Sequence, residues 1–282
     1  MLDVIFYVLP LRFQILMKID KTKCVGCGNC TYVCPMGAIY LDPADHRATI
    51  DADACVECYT CYRGMSTEHL YPPLIRGIRK LLSFFRLRFE PEPDVCPTAA
   101  FVPDELQWPR IVRRAFSDPQ VPHESTGIHG RGTEEVKTND VTNRVKQGEA
   151  GFVVEFGRPG VGARFYDIQQ MTMALARLGV VFEPNNPVTH LMSNPKTGEI
   201  PKDILNEKVL SAIVEFKAKL TEVPVLLNEI EEVSKQVDTV VSLGVSTRCD
   251  ENGDNPLEEL LQKQGYRFWR GKTNLGMGRA LT

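Results

Sequence analysis

The chain lacks most of what would mark it as a self-contained enzyme. Its 282 residues include only five histidines, none at H-E-x-x-H or H-x-x-E-H spacing, which excludes a helical zinc-protease site. No G-x-S-x-G elbow, Walker loop or well-placed dinucleotide G-x-G-x-x-G occurs. Charge of one sign is missing too: acids and bases are interleaved and the net charge is −3, so there is no electrostatic footprint of a nucleic-acid binder. Long apolar runs are absent. Val4-Ile5-Phe6-Tyr7-Val8-Leu9 is short, is interrupted by Pro10 and carries no basic leader or small-residue cleavage site. It reads neither as a signal peptide nor as a membrane span. Met17-Lys18-Ile19-Asp20 is a natural domain start, which leaves residues 1–16 as an added strand or the product of an upstream start codon.

What the chain does have is cysteine. Eight of its nine cysteines fall into two sets: Cys24, Cys27 and Cys30 with Cys34-Pro35, and Cys55, Cys58 and Cys61 with Cys96-Pro97. Four soft thiolates per set is the stoichiometry of an iron-sulfur cube. Three cysteines at three-residue intervals let one curled loop present three sulfurs to one cube. Small residues such as Gly26 and Gly28 let backbone N–H groups approach the sulfurs. A cysteine four residues beyond the third faces away from that cube and suits a neighbouring one.

The run C-x2-C-x2-C-x3-C-P resembles the bacterial two-cluster ferredoxin pattern, in which the fourth cysteine of each run ligates the other cluster. That resemblance covers residues 17–61 and 95–102. It implies two [4Fe-4S] clusters, one held by Cys24, Cys27, Cys30 and Cys96, the other by Cys34, Cys55, Cys58 and Cys61. The chain departs from the pattern after Cys61, where Met65-Ser66 stands in place of Cys-Pro. Cys96 is the candidate replacement because Cys96-Pro97-Thr98-Ala99-Ala100-Phe101 repeats Cys34-Pro35-Met36-Gly37-Ala38-Ile39 at Cys, Pro, Ala and a bulky apolar residue; Cys249 is its competitor. Thr49-Ile50-Asp51 precedes Cys55 as Lys18-Ile19-Asp20 precedes Cys24. The segment therefore reads as a duplication with an insertion over 62–95. Structural zinc and a disulfide framework are the alternatives, and zinc sites more often use two separated pairs than an evenly spaced triplet.

The expected fold is α+β in three parts. Residues 1–102 form the ferredoxin domain, with the helical insertion. Residues 103–150 form an extended linker or partner-binding arm, and residues 151–282 a ferredoxin-like α/β sandwich of two strand-helix-strand repeats. In the insertion, Leu74, Ile75, Ile78, Leu81, Leu82, Phe85 and Phe89 make a helical apolar stripe, with Arg76, Arg79, Lys80, Arg86 and Arg88 largely elsewhere on the wheel and no acid from Leu74 to Phe89. Covering its own core is the favoured role, ahead of a partner subunit and then a membrane. Gly127–Thr133 offers an anion cradle without a flanking strand or helix start, so an extended arm is preferred there. In the sandwich, the first repeat runs from Val153–Gly157 through a helix at Phe165–Leu178 to Gly179–Phe182. The second runs from Val240–Gly244 through a helix at Leu257–Gln264 to Gly265–Trp269, and the two flank a helical region, Ile204–Val237, broken at Pro224. Arg158 and Arg164 bracket a glycine-rich loop that turn formation explains more readily than anion binding. Cys249 is expected to be buried.

The function expected is a non-catalytic electron-transfer subunit relaying single electrons to or from a separate oxidoreductase subunit, such as a flavin, tungsten or molybdenum enzyme. A redox or metabolite sensor with a small-anion-binding C-terminal domain, and a catalytic C-terminal domain, are the alternatives. Thiols committed to clusters imply a reducing, cytoplasmic and anaerobic setting, with no nucleic-acid partner and no membrane.

Overall fold

The computed structural model describes residues 17–63, 72–87, 95–122 and 144–269. Two hydrophobic cores organise them. Around the smaller one, β1 (Lys18–Ile19) pairs antiparallel with β4 (Phe101–Val102), and β2 (Ile39–Leu41) with β3 (Ala48–Ile50). Helices α1 (Asn29–Val33) and α2 (Thr60–Arg63) begin inside the two cysteine triplets and carry their third cysteines, Cys30 and Cys61. The duplication is visible in the backbone. Asp20 N–H donates to Ala100 O and Asp51 N–H to Ala38 O, both at 2.8 Å; Cys24 N–H donates to Asp20 O and Cys55 N–H to Asp51 O, both at 3.0 Å. Each Ile-Asp approach is thus fastened to the other half's Cys-Pro turn. Helix α3 (Pro72–Phe84) lies in the insertion.

The connection expected to be extended over 103–150 is folded where it is described. Residues 111–117 form helix α4 (Ile111–Ser117), which buries Val112, Arg113, Phe116 and Ser117. Val112 and Phe116 join the larger core, and Phe116 meets Phe165 edge to face with centroids 5.3 Å apart. Two apolar residues at i and i+4 suffice to anchor one helical turn but are too few to register as periodicity among so many turn formers. The Gly127–Thr133 loop lies outside the described residues.

The larger core fills one face of a four-stranded antiparallel sheet in the order β10-β5-β9-β7, made from β5 (Glu149–Phe156), β7 (Val181–Phe182), β9 (Ala212–Lys219) and β10 (Val241–Thr247). Ala150, Phe152, Val154 and Phe156 alternate inward along β5 and oppose Ala218, Phe216, Val214 and Ala212 of β9. The Phe152 and Phe216 rings stack at 4.7 Å. Helices α5 (Phe165–Arg177) and α7 (Val223–Ser234) cover this face with Phe165, Ile168, Met171 and Leu175, and with Leu226, Leu227 and Ile230. A short pair, β6 (Ala163–Arg164) with β8 (Lys208–Val209), and α6 (Pro187–Leu191) complete the domain.

The first strand-helix-strand unit is β5-α5-β7. The second is not the one expected. It is β9-α7-β10: Ala212–Lys219 is a strand, Pro224 stands in the first turn of α7 where a missing N–H costs nothing, and Gly265–Trp269 pairs with no strand. Burial on both faces explains the misreading. Asn186 Nδ2, 2.9 Å from Glu215 Oε2, helps cover the second face of β9, and a strand buried on both sides loses its alternation. Helix α8 (Pro256–Lys263), capped by the Asn255 side chain, packs Leu257 and Leu261 into the same core.

Candidate metal centres

Two cavities lie in the N-terminal region. The first, about 330 Å³ including its open mouth, is lined by Cys24, Cys27, Cys30 and Cys96, with Ile19, Ala48 and Phe101. The second, about 380 Å³, is lined by Cys34, Cys55, Cys58 and Cys61, with Met17, Ile39, Ile50 and Tyr59. Each draws three cysteines from one triplet and its fourth from a Cys-Pro turn. Cys249, the alternative ligand, is exposed on the far domain rather than buried as expected, because the Thr247–Asp254 stretch turns outward after β10. Among the described residues, no three His, Cys, Asp or Glu side chains are gathered as ligands of a single ion; the sulfurs ring a space instead.

The two Cys-Pro turns are local copies. Ala38 N–H donates to Cys34 Sγ and Ala100 N–H to Cys96 Sγ, both at 3.2 Å. Ala48 N–H points at Cys24 Sγ at 3.4 Å, and Thr60 Oγ1 lies 3.3 Å from Cys58 Sγ. Such bonds stabilise charge on sulfur and tune a bound cluster. Burial pushes the Cys30 thiol up to about 11, with Cys27, Cys24 and Cys96 adding to it. Burial likewise pushes Cys55 up to about 12, with Glu57 adding, and raises Cys58. Cys61 is raised well above its ordinary value, by burial first and then by Cys58, Cys55, Cys34 and also Cys30, so the two cavities are neighbours. Cys96 is the exception. Burial is its largest influence, but the Ala100 and Thr98 hydrogen bonds and the Arg76 charge together bring it below its ordinary value. Thiols this reluctant to ionise in an apolar pocket suit a ligand that supplies its own positive charge, and soft sulfur donors in fours fit iron-sulfur cubes.

The second cavity is clamped by residues that the sequence reading passed over. Arg110, buried, donates through Nε to Glu57 Oε1 at 2.8 Å and through Nη1 to Ala52 O at 2.9 Å. Arg113 Nη1 donates to Asp53 O at 2.8 Å and Cys55 O at 2.7 Å, while its Nε pairs with Glu207 of the larger domain. The Arg114 guanidinium sits 4.2 Å from the centre of the Tyr59 ring. Asp118, its carboxylate fully buried, pairs with Arg63, whose Nη2 also donates to Cys58 O at 3.0 Å. The signal was present in the run Arg110-Ile111-Val112-Arg113-Arg114, which puts three bases around two apolar residues within about one helical turn.

The Arg158–Arg164 loop also serves this junction. Arg164 Nη2 binds Asp53 Oδ2 at 2.6 Å and Nη1 binds Asn206 O at 2.6 Å. Gly160 and Gly162 let the loop lie against Pro35 and Met36: a Cβ at Gly162 would stand 2.7 Å from Met36 Cε and 2.9 Å from Val209 O.

A family model described as a 4Fe-4S dicluster domain matches residues 16–64. Residues 16–64 are a bacterial-type 2[4Fe-4S] ferredoxin segment. Over 42 residues the chain is 48% identical to Ferredoxin-1 of Rhodobacter capsulatus and to a ferredoxin-like protein in the vnf region of Azotobacter chroococcum. It is 50% identical over the same length to the ferredoxin-like protein in the vnf region of Azotobacter vinelandii. Each alignment covers 15% of this chain and 62% of the relative, so the chain spans under two thirds of the curated ferredoxins it matches. No solved structure matches it. The ferredoxin segment is an electron-transfer unit and contains seven of the eight paired cysteines; Cys96 lies beyond it. Among the described residues, no helix is long and apolar enough to cross a membrane.

Proposed function

We propose that the chain is an electron-transfer subunit holding two [4Fe-4S] clusters, one on Cys24, Cys27, Cys30 and Cys96 and one on Cys34, Cys55, Cys58 and Cys61. The carrying observation is the division of eight cysteines between two adjacent cavities, each completed by a turn from the other half of the duplication. When bound, a cube takes up and gives up one electron at a time. The chain's own residues position the thiolates, exclude water with Ile39, Ile50, Ala48 and Phe101, and aim N–H groups at sulfur.

Exposure sets the direction of traffic. The first cavity reaches the surface at Cys27 and at Val25, which is 65% exposed, whereas the four cysteines of the second are all half-buried and the Arg158–Arg164 loop lies against its Pro35 and Met36. A separate oxidoreductase subunit, of flavin, tungsten or molybdenum type, in a reducing cytoplasm exchanges electrons at the first. Commitment of Arg164 to Asp53 and Asn206 favours a structural role for that loop over a metabolite sensor.

Anaerobic reconstitution followed by iron and sulfide analysis and EPR of the reduced protein tests the ligand sets. Cys96→Ala and Cys34→Ala are each expected to remove about half the iron and a different one of two interacting signals. Full iron in Cys96→Ala, or colourless wild-type protein, overturns the assignment. Stopped-flow oxidation of the reduced chain by a small cationic dye tests the exposed side: loss of the first site must slow it more than loss of the second.

A further inference from the structure

Helix α3 was expected to cover the core of its own domain, and it does not. None of its residues belongs to either hydrophobic core of the described residues. Leu74, Ile78, Leu81 and Leu82 follow one another at i, i+4, i+7 and i+8, which places them on one side of the helix, and Phe85 follows in the turn that closes it. Leu74 is 57%, Leu81 61% and Phe85 61% exposed. Phe84, the last residue of the helix, and Leu87 beyond it are also exposed, and Phe84 meets Phe85 edge to face at 5.3 Å. Large apolar side chains left together in water mark a surface that something else covers.

Charge decides what that is. Between Pro72 and Leu87 the sequence has four bases, Arg76, Arg79, Lys80 and Arg86, and no acid. The apolar arc is centred between Leu74 and Ile78; Arg76 lies near enough to Cys96 to act on its thiol, while Lys80 on the helix and Arg86 in the turn after it are exposed. A protein groove presents both signs and is usually met by a helix carrying some of each. A sheet of anionic headgroups presents one sign everywhere and is met by a helix that is Leu- and Phe-rich on one side and uniformly basic on the other. Thirteen residues make a rod of about 20 Å, roughly two thirds of what a bilayer-spanning helix needs, so it can lie along such a surface but not traverse it.

We infer that α3 is an interfacial helix that seats the protein on an anionic lipid surface, with Leu74, Ile78, Leu81 and Phe85 in the acyl boundary and Lys80 and Arg86 at the headgroups. This inference is independent of the electron-relay reading, because a chain without clusters would carry the same helix.

The test is co-sedimentation of the full-length, anaerobically reconstituted chain with vesicles of mixed phosphatidylglycerol and phosphatidylcholine, against vesicles of phosphatidylcholine alone. Binding is expected to the first and not the second, and to weaken as salt rises. Leu81→Gln with Phe85→Gln is expected to abolish it. Lys80→Gln with Arg86→Gln is expected to weaken it roughly 25-fold, about fivefold for each base. Visible absorption and far-UV circular dichroism confirm that the variants remain folded and loaded. The inference is overturned if the wild-type chain stays in solution with anionic vesicles, or if the Leu81 and Phe85 pair binds undiminished. It is equally overturned by a concentration-dependent dimer that this pair abolishes, which assigns the face to a second copy. Retention on immobilised polyglutamate without vesicle binding overturns it too, in favour of an acidic protein partner.

Discussion

Gly26, Gly28 and Gly37 in the first half of the duplication stand at φ 68°, 79° and 61°; Glu57, Tyr59 and Ala99 take the equivalent places in the second half at φ 55°, 62° and 52°. Left-handed backbone costs a residue with a Cβ about 1–2 kcal/mol. The first half avoids that cost by composition. The second offsets it with contacts from outside the ferredoxin segment: Arg110 holds Glu57 at 2.7 Å, and Tyr59 lies under Arg114 while its hydroxyl donates to Asp104 O at 3.3 Å. Ala99 has only a methyl group and carries the strain uncompensated. One cavity is therefore shaped by its own loop. The other is shaped by a neighbouring domain, so the second cavity keeps its form beside an insertion and an appended sheet.

The sharpest way to break this contrast is Arg110→Gln. It strands the Glu57 carboxylate in the interior and should lower unfolding stability by about 3–5 kcal/mol. Chemical denaturation measures the loss, and iron should leave the second site before the first. Combining Arg110→Met with Glu57→Gly removes both charges and the strained Cβ, and should restore a good part of it. Gly26→Ala attacks the other half. The added Cβ would lie 2.2 Å from His46 O at φ 68°, so a loss of at least about 2 kcal/mol is expected, with the first site emptying preferentially. Ala99→Gly works in the opposite sense: relief of the strained backbone should raise stability by about 1 kcal/mol, less the extra entropy of an unfolded glycine. A decrease would show that the second half does not carry the strain described here.

The smallest effect is a control remote from both cavities. Burial is the largest influence on Glu149 and would raise its carboxyl, but the hydrogen bond from Lys146 N–H and the Lys217 ammonium, 2.9 Å away, together hold it below its ordinary value. A depressed carboxyl stabilises the fold above the unfolded value and loses that contribution as pH falls through the folded one. Glu149→Gln should therefore cost under about 1 kcal/mol at neutral pH, with the difference fading below about pH 4. Neither site's iron content should change.

The grouping of the cysteines around two cavities was legible in the sequence because it is local: the triplets and the repeated text around Cys34 and Cys96 need no tertiary information. Strand β5 was legible because it alternates. Strand β9 was not, since Ala212-Ile213-Val214-Glu215-Phe216 is buried at every position and resembles a buried helix as much as a strand. Helix α4 was hidden for a different reason. Its arginines look like solvated linker charge until Glu57 and Glu207 are brought to Arg110 and Arg113 from 53 and 94 residues away.

The loop holding Gly160 and Gly162 lies over Pro35 and Met36 like a shutter on one of two adjoining rooms. Oxygen or a chelator arriving from solvent meets the room with the open door, at Cys27, long before it reaches the shuttered one. Damage in air should accordingly proceed in sequence, through a half-loaded protein whose inner site outlasts the outer. Because that inner site is also the one tied to the larger domain, the two domains should stay together while the outer site empties.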